Sequence, residues 1–534
     1  MMPPPYRSPP KRQSRTSLRP PFLAFSASRF GKKEYFYNGI SDRIGFYVEM
    51  SFIDYQFLIF FPLVAVVFFA LRPSWRWVWL LAASCWFYMA FEPVYILILA
   101  AMIAVDWLAA LGMGRCGPAP GSGRRRFFLV AGTVFNLGVL VFYKYWNFLA
   151  SNWDALAAWS GHLPKLPATD VILPIGLSFV TFQTLAYLIE VYRGTQPVER
   201  HPGRFATYVM FYPQLVAGPI ERPGNLLVQL RRTQVFDTAQ ASAGLQLMLW
   251  GYFKKVVVAD RLADVVDAVY ADPAAATGPA AVLAAYFFAF QIYCDFSGYT
   301  DIARGAGRVM GFDIILNFRR PYFSKSVAEF WRRWHISLSG WFRDYLYIPL
   351  GGNRVGAARW AFNTMVVFLA SGLWHGAAWT FVVWGGLHGL FLLCGRATDS
   401  LRRRACAVQH IDPDGPFRNT VRTLLTFHLV TAAWVFFRAP TWAGAMTMFR
   451  RMADWSPAAD GAYALSSIAP ATLWTTLGAL AVLVAVECLA EFARGEERWK
   501  NLPFWIKAPV CAALLLAVMN LGVPHEKPFI YFQF

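Results

Sequence analysis

Phe57-Leu58-Ile59-Phe60-Phe61-Pro62-Leu63-Val64-Ala65-Val66-Val67-Phe68-Phe69-Ala70-Leu71 carries no charge and does not alternate apolar with polar residues. A strand of an outer-membrane barrel would alternate lipid-facing and lumen-facing side chains over short segments, so this run, like a second one over 477–486, reads as helix in lipid. A helix needs roughly 17–25 predominantly apolar residues to cross a bilayer. Such runs recur along the 534 residues, of which 57% are hydrophobic, 17% aromatic and only 15% charged. The chain is therefore expected to be an all-α polytopic membrane protein. Its pattern predicts spans near 55–71, 76–91, 93–112, 127–146, 171–191, 241–259, 278–296, 361–374, 377–395, 419–437, 472–490 and 506–522.

Fifty Lys and Arg against 31 Asp and Glu leave a formal charge of +19, which in a soluble protein would suggest a nucleic-acid partner. Here the basic residues gather in short loops: Arg72 and Arg76; Arg115 with Arg124, Arg125 and Arg126; the stretch 193–204; Arg402, Arg403 and Arg404; Arg450 and Arg451. That is the bias of cytoplasmic loops. The segments Phe91-Glu92-Pro93 and 152–170 carry few basic residues and fall at alternate crossings. The first span is thus expected to be entered from outside, with the Arg124 loop in the cytoplasm and no nucleic acid as partner.

Two stretches do not read as simple crossings. Residues 205–235 contain Pro213 and Gly218, and 311–356 mix apolar residues with Arg319, Arg320, Arg332, Arg333, Arg343 and Asp344. Irregular or charged backbone at membrane depth survives only under a cover of protein or beside a water-filled cavity, so both are expected to be re-entrant or interfacial helices. No internal repeat is apparent, which argues against an inverted-repeat transporter. The seven cysteines are scattered, without a CxxC pair, and read as small buried hydrophobes.

Residues 1–49 differ in kind: Pro- and Arg-rich, with nine Lys/Arg against three acids and no apolar segment of a secretory signal. Composition predicts a disordered basic leader ahead of a membrane domain over 50–534, and Met50 is the expected native start.

Trp331-Arg332-Arg333-Trp334-His335-Ile336-Ser337 and Leu373-Trp374-His375-Gly376 place two histidines among apolar residues. An ionisable group at bilayer depth costs on the order of 2.5–3.5 kcal/mol even on the lenient insertion scale, so such groups face protein or a wet cavity and often serve function. Of the eight histidines, His335, His375, His388 and His428 lie in or beside apolar spans, whereas His162, His201, His410 and His525 sit in loops or near chain ends. His428, between Phe427 and Leu429, fits a structural role. His375 is flanked by Trp374 and Gly376 and preceded by Ser371-Gly372, a setting that permits local unwinding and access to an imidazole whose ordinary pKa suits proton removal. The segment Tyr293-Cys294-Asp295-Phe296-Ser297-Gly298-Tyr299-Thr300-Asp301 reads either as a helix end at the headgroups or as the polar wall of a substrate cavity, and position alone leaves both open. No HxH, HxxxH or HExxH spacing points to a metal. Phe296-Ser297-Gly298 lacks the first glycine of a hydrolase elbow, and Gly351-Gly352-Asn353-Arg354 lacks the Lys-Ser/Thr of a phosphate loop.

Taken with Leu173-Pro174-Ile175-Gly176-Leu177-Ser178-Phe179, Gln291 through Tyr299, Trp331 through Ser339, Tyr347-Ile348-Pro349-Leu350-Gly351-Gly352-Asn353-Arg354 and the terminal Phe529-Ile530-Tyr531-Phe532-Gln533-Phe534, these motifs closely resemble the membrane-bound O-acyltransferase superfamily, in its bacterial alginate O-acetyltransferase branch. The resemblance runs from about Met50 to Phe534. It implies a ring of transmembrane helices, with re-entrant or interfacial helices, around a central tunnel. It also implies a multi-pass protein of the bacterial inner membrane that moves acetyl groups from a cytoplasmic thioester, acetyl-CoA, toward a secreted polysaccharide, with periplasmic acetyltransferase partners. No bound cofactor is implied. His375 corresponds to the family's catalytic histidine and His335 to its second one.

On that reading His375 is the general base and His335, Trp374 or Asn353 the oxyanion donor, with Asp295, Ser297, Tyr299 and Asp301 lining the tunnel. Arg332 and Arg333, or Lys254 and Lys255, would hold donor phosphates. Alginate, cellulose, another exopolysaccharide or peptidoglycan are all compatible acceptors. The rival reading is a transport or scaffold component whose chemistry a periplasmic partner performs. The basic leader opposes an outside amino terminus. A chain beginning at Met50 is therefore expected to insert with the same topology and keep full activity; peptides upstream of Met50 in the native protein by mass spectrometry, with loss of function on truncation, would refute this.

Overall fold

The computed structural model describes residues 50–116, 122–161, 163–409, 412, 415–456, 463–523 and 527–530. The leader 1–49, His162, His410, His525 and the last four residues of the terminal motif lie outside that set. Among the described residues the chain is helical, and its β-structure is one bridge between Ala276 and Tyr463.

The helices run in chain order as α1 (Tyr55–Ala70), α2 (Arg76–Met89), α3 (Ile96–Arg115), α4 (Gly123–Leu140), α5 (Trp146–Ser160), α6 (Leu177–Arg193) and α7 (Pro202–Met210). They continue as α8 (Thr238–Tyr252), α9 (Asp260–Ala271), α10 (Gly278–Val309), α11 (Val327–Arg333), α12 (Ile336–Phe342), α13 (Ala357–His375) and α14 (Trp379–Ala397). The last are α15 (Asp399–Val408), α16 (Pro416–Arg438), α17 (Trp442–Ala453), α18 (Pro470–Phe492), α19 (Gly495–Asn501) and α20 (Phe504–Leu521). A helix covers most or all of each of the twelve expected spans. Seven of the described helices are long and apolar enough to cross a bilayer unaided: Pro93–Arg115, Gly123–Ser160, Gly278–Val309, Trp379–Ala397, Pro416–Arg438, Pro470–Phe492 and Phe504–Leu521. The protein is an all-α, multi-pass membrane protein.

Three boundaries differ from expectation, each for a local reason. The helix expected from 171 begins at Leu177, because Pro174 disfavours helix before it and Gly176 sits at φ +75°. The span expected to end at 146 continues to Ser160 through a π-helical turn, Val141–Tyr145. The span expected to end at 296 runs on to Val309, with Asp295, Ser297 and Tyr299 buried. That removes the reading of this segment as a helix end at the headgroups. The stretches 205–235 and 311–356, expected as re-entrant or interfacial helices, are broken into short helices.

The share of each apolar window buried inside the protein separates centre from rim: 78% for α10 and none for α20. Lipid-facing helices bury little against protein, so α10 is the axis on which α8, α9, α16 and α17 pack. Contact with α8 is backbone to backbone. A Cβ on Gly251 would stand 2.7 Å from the Gly298 carbonyl oxygen, and one on Gly298 would stand 2.8 Å from that of Gly251. Seven residues along each helix, Gly244 and Gly305 repeat the arrangement. Small residues let helices approach where lipid offers no hydrophobic drive for association. Gly251→Leu and Gly298→Val should each destabilise by about 1–3 kcal/mol through overpacking. In detergent this lowers the thermal midpoint, whereas Gly478→Ala, where a Cβ meets nothing within 4 Å, should not; an unchanged midpoint for Gly298→Val would refute the close crossing.

Candidate active site

His335 lies between α11 and α12, where the chain turns sharply. Its backbone is left-handed, φ +43°, a conformation that costs a non-glycine residue about 1–3 kcal/mol and persists where surrounding contacts over-determine it. Those contacts come from Asn317, which is fully buried. Its side-chain oxygen accepts the Ser337 backbone N–H at 3.2 Å and the Ser337 hydroxyl at 3.0 Å, and lies 3.0 Å from His335 Nδ1. The Asn317 backbone carbonyl accepts the N–H of Ile336 at 2.9 Å. Because a backbone N–H can only donate, the atom it meets is the amide oxygen, and His335 Nδ1 therefore carries the proton. Nε2 is then the basic nitrogen of this imidazole.

His375 is the last residue of α13. The hairpin of α13 and α14 is drawn together by glycines, since a Cβ on Gly372 would meet the Phe381 carbonyl oxygen at 2.3 Å and one on Gly385 that of Phe368 at 2.2 Å. The four last carbonyls of α13 all find donors. Gly376 N–H reaches Gly372 O at 3.4 Å, the Tyr145 hydroxyl donates to Leu373 O at 2.9 Å, and Lys144 Nζ donates to Trp374 O at 2.6 Å and His375 O at 3.1 Å.

The two imidazoles stand 6.3 Å apart between ring centroids, both buried. Aromatic rings surround them. Phe296 meets His335 edge-on at 4.8 Å, Trp374 and Trp384 each lie 5.0 Å from His375, and Phe437 lies 5.4 Å from it. Trp374 also touches His335 at 5.9 Å, Phe179 at 5.2 Å and Phe182 at 5.4 Å. The indole N–H groups of Trp374 and Trp384 are buried and meet no hydrogen-bond acceptor among the described residues. Polar donors in an apolar wall beside two imidazoles form a site that can hold an oxygen-bearing group.

The other expected residues gather elsewhere. Asp295, Ser297, Tyr299 and Asp301 share α10, and all but Tyr299 bond to lysines of the π-helical turn Phe253–Ala259 that joins α8 to α9. Lys254 Nζ is bonded to Asp301 and to Ser297 Oγ, while Lys255 Nζ lies 2.6 Å from Asp295 and 2.7 Å from Asp260. Tyr299 stacks on Phe52 at 4.5 Å and meets a tilted Phe529 ring at 4.8 Å. These four α10 residues are thus packed into an ion-paired core. Both lysines are neutralised by carboxylates, so the geometry runs against their expected use as phosphate ligands. Arg333 is likewise held by Glu329 at 2.7 Å and Glu491 at 2.8 Å, whereas Arg332 is exposed. Asn353 is exposed on the turn after Gly352, whereas both histidines are buried. His388 is buried and accepts the Trp331 indole N–H at 3.2 Å; His428 is bonded to its own helix at Leu424 O, 2.6 Å away, as its structural reading predicted.

Sequence reasoning missed Lys144, Tyr145 and Asn317. Lys144 carried a signal, a lone ammonium in an apolar run; Asn317, in an irregular stretch, carried none.

Residues 200–437, which include both histidines, match the family model described as MBOAT, membrane-bound O-acyltransferase family. The chain is 35% identical over 496 residues to a probable alginate O-acetylase, AlgI, of Pseudomonas putida, covering 89% of this chain and 98% of that protein. It is 33% identical over 428 residues to a peptidoglycan O-acetyltransferase of Helicobacter pylori, covering 75% and 78%, and 25% identical over 302 residues to a teichoic acid D-alanyltransferase of Bacillus subtilis, covering 54% and 74%. Twelve spans met by helices, a buried histidine pair within the matched region and likeness over nearly the whole of an acetylase together decide the assignment: the chain belongs to the membrane-bound O-acyltransferase family and is an O-acyltransferase of the membrane.

Proposed function

We propose that this enzyme transfers acetyl groups from a thioester donor, acetyl-CoA, reached from the cytoplasmic side of the inner membrane, to hydroxyl groups of a secreted polysaccharide, directly or through periplasmic acetyltransferase partners. The observation that carries the reading is the buried imidazole pair, 6.3 Å apart in an aromatic wall. The names of the similar proteins support it: a probable alginate O-acetylase and a peptidoglycan O-acetyltransferase.

In the reaction His375 takes the proton of an acceptor hydroxyl as its oxygen attacks the thioester carbonyl carbon. The carbon–sulfur bond then breaks, and the thiolate leaves with the proton returned from His375. A base so placed contributes about 10²–10⁴-fold. The oxyanion needs a donor, and the Trp374 indole N–H supplies one beside His375. With its proton on Nδ1, His335 offers Nε2 as an acceptor, which suits it to holding the attacking hydroxyl rather than the oxyanion. Asn317 acts through His335 by keeping that tautomer. The Arg332 side chain, being exposed, is the better of the four expected cations to meet donor phosphates.

His375→Ala should lower specific activity by at least about 10²-fold at normal membrane abundance, and His335→Ala severely. His428→Ala should change stability more than specific activity. The measurement is ester-linked acetate on the polysaccharide, normalised to immunoblotted protein; most activity surviving in His375→Ala would sink the assignment of the base. Asn317→Ala strands two buried donors of Ser337 and one of His335, at about 1–3 kcal/mol for each group left unsatisfied. It should lower both the thermal midpoint and the activity, and a variant with unchanged activity would remove Asn317 from the mechanism.

A further inference from the structure

Lys144 is an ammonium in the middle of an apolar helical stretch, Gly123–Ser160, and among the described residues it pairs with no carboxylate. Its three donors meet three acceptors: Trp374 O at 2.6 Å, His375 O at 3.1 Å and Ser178 Oγ at 3.4 Å. Two of these are the final carbonyls of α13, where aligned peptide dipoles leave about half a negative charge. The cation is therefore compensated by a helix end, and that helix end bears His375.

The π-helical turn explains how one segment serves two carbonyl rows. A π turn inserts an extra residue into an α-helix, and such bulges recur at functional sites. Here it directs Lys144 and the next residue, Tyr145, at successive carbonyls, 373, 374 and 375. The third bond of Lys144 ties in α6 at Ser178, and the following residue, Phe179, packs on Trp374 at 5.2 Å and on His335 at 6.2 Å. One amine thus joins the backbone under His375 to the helix that walls His335.

We infer that Lys144 is a positioning residue for acyl transfer, holding the end of α13 so that the His375 imidazole faces the reacting hydroxyl. The inference rests on the proposed role of His375. Misplacing a catalytic group by about 1 Å can lower the rate about 10²-fold without altering binding. Lys144→Met keeps length and loses the donors. Its kcat should fall by about 10²-fold, with KM changed less than about threefold. Lys144→Arg keeps charge and donors and should recover about tenfold over Lys144→Met.

The test uses the full chain purified into proteoliposomes, with acetyl-CoA as the donor probe, thiol release as the readout and the folded fraction measured by size exclusion. His375→Ala is run in parallel. If His375→Ala abolishes turnover while folded Lys144→Met stays within about threefold of wild type, the inference about Lys144 fails and the function stands. If His375→Ala itself is active, the reading of the base fails instead. A loss in Lys144→Met that only follows the folded fraction, or that appears in KM alone, also overturns the inference. Should Lys144→Met not accumulate, Tyr145→Phe removes the bond to Leu373 O alone. A drop in kcat of about threefold or more at normal abundance then supports the inference, and an unchanged kcat overturns it.

Discussion

A helix that stops inside a membrane protein leaves its last carbonyls without partners, in surroundings where each such group costs several kcal/mol. Helix α13 stops at His375, well covered by protein, and the architecture around the site follows from answering that need. Lys144 and Tyr145 come from the π-helical turn between α4 and α5, and Gly376 closes the remaining carbonyl. The same bonds fix the backbone from which the imidazole projects. One set of donors thus satisfies the helix end and fixes the position of the His375 backbone.

The second imidazole is placed by a comparable device. His335 occupies a turn that few side chains adopt, and the single amide oxygen of Asn317 gathers its ring nitrogen, the Ser337 N–H and the Ser337 hydroxyl. Both histidines are thus held by polar groups distant in sequence: Lys144 lies 231 positions from His375 and Asn317 18 from His335.

Behind His335, across Phe296, the ion-paired core of α10 holds the described end of the chain. The Ile530 N–H donates to Asp295 Oδ2 at 2.7 Å, and Lys255 donates to the Lys527 carbonyl at 3.1 Å. Phe529 packs tilted against Tyr299 and lies 5.6 Å from Phe296. A buried ion pair contributes little net stability against a well-packed apolar alternative, yet removing one partner leaves a charge stranded. Here two backbone bonds tie residues 527–530 to that ion-paired core.

The sequence by itself determined the class of the protein. Uninterrupted apolar runs, basic loops and broken stretches over 205–235 and 311–356 depend only on local composition, and helices met every expected span. It also singled out His335 and His375 as candidates, since an ionisable group amid lipid-length helices stands out without any knowledge of its neighbours. Lys144 carried the same signal, a lone ammonium in an apolar run, and was passed over. What only the tertiary structure decided was pairing. Lys254 and Lys255 looked like phosphate ligands until α10 placed carboxylates against them; Asp295 to Asp301 looked like a helix end or tunnel wall until burial made them a core; and Asn317 had no visible role until the chain folded it onto His335. A charge announces its presence in a sequence, but its function depends on which counter-charge lies within a few ångströms, and that distance is set by helix packing.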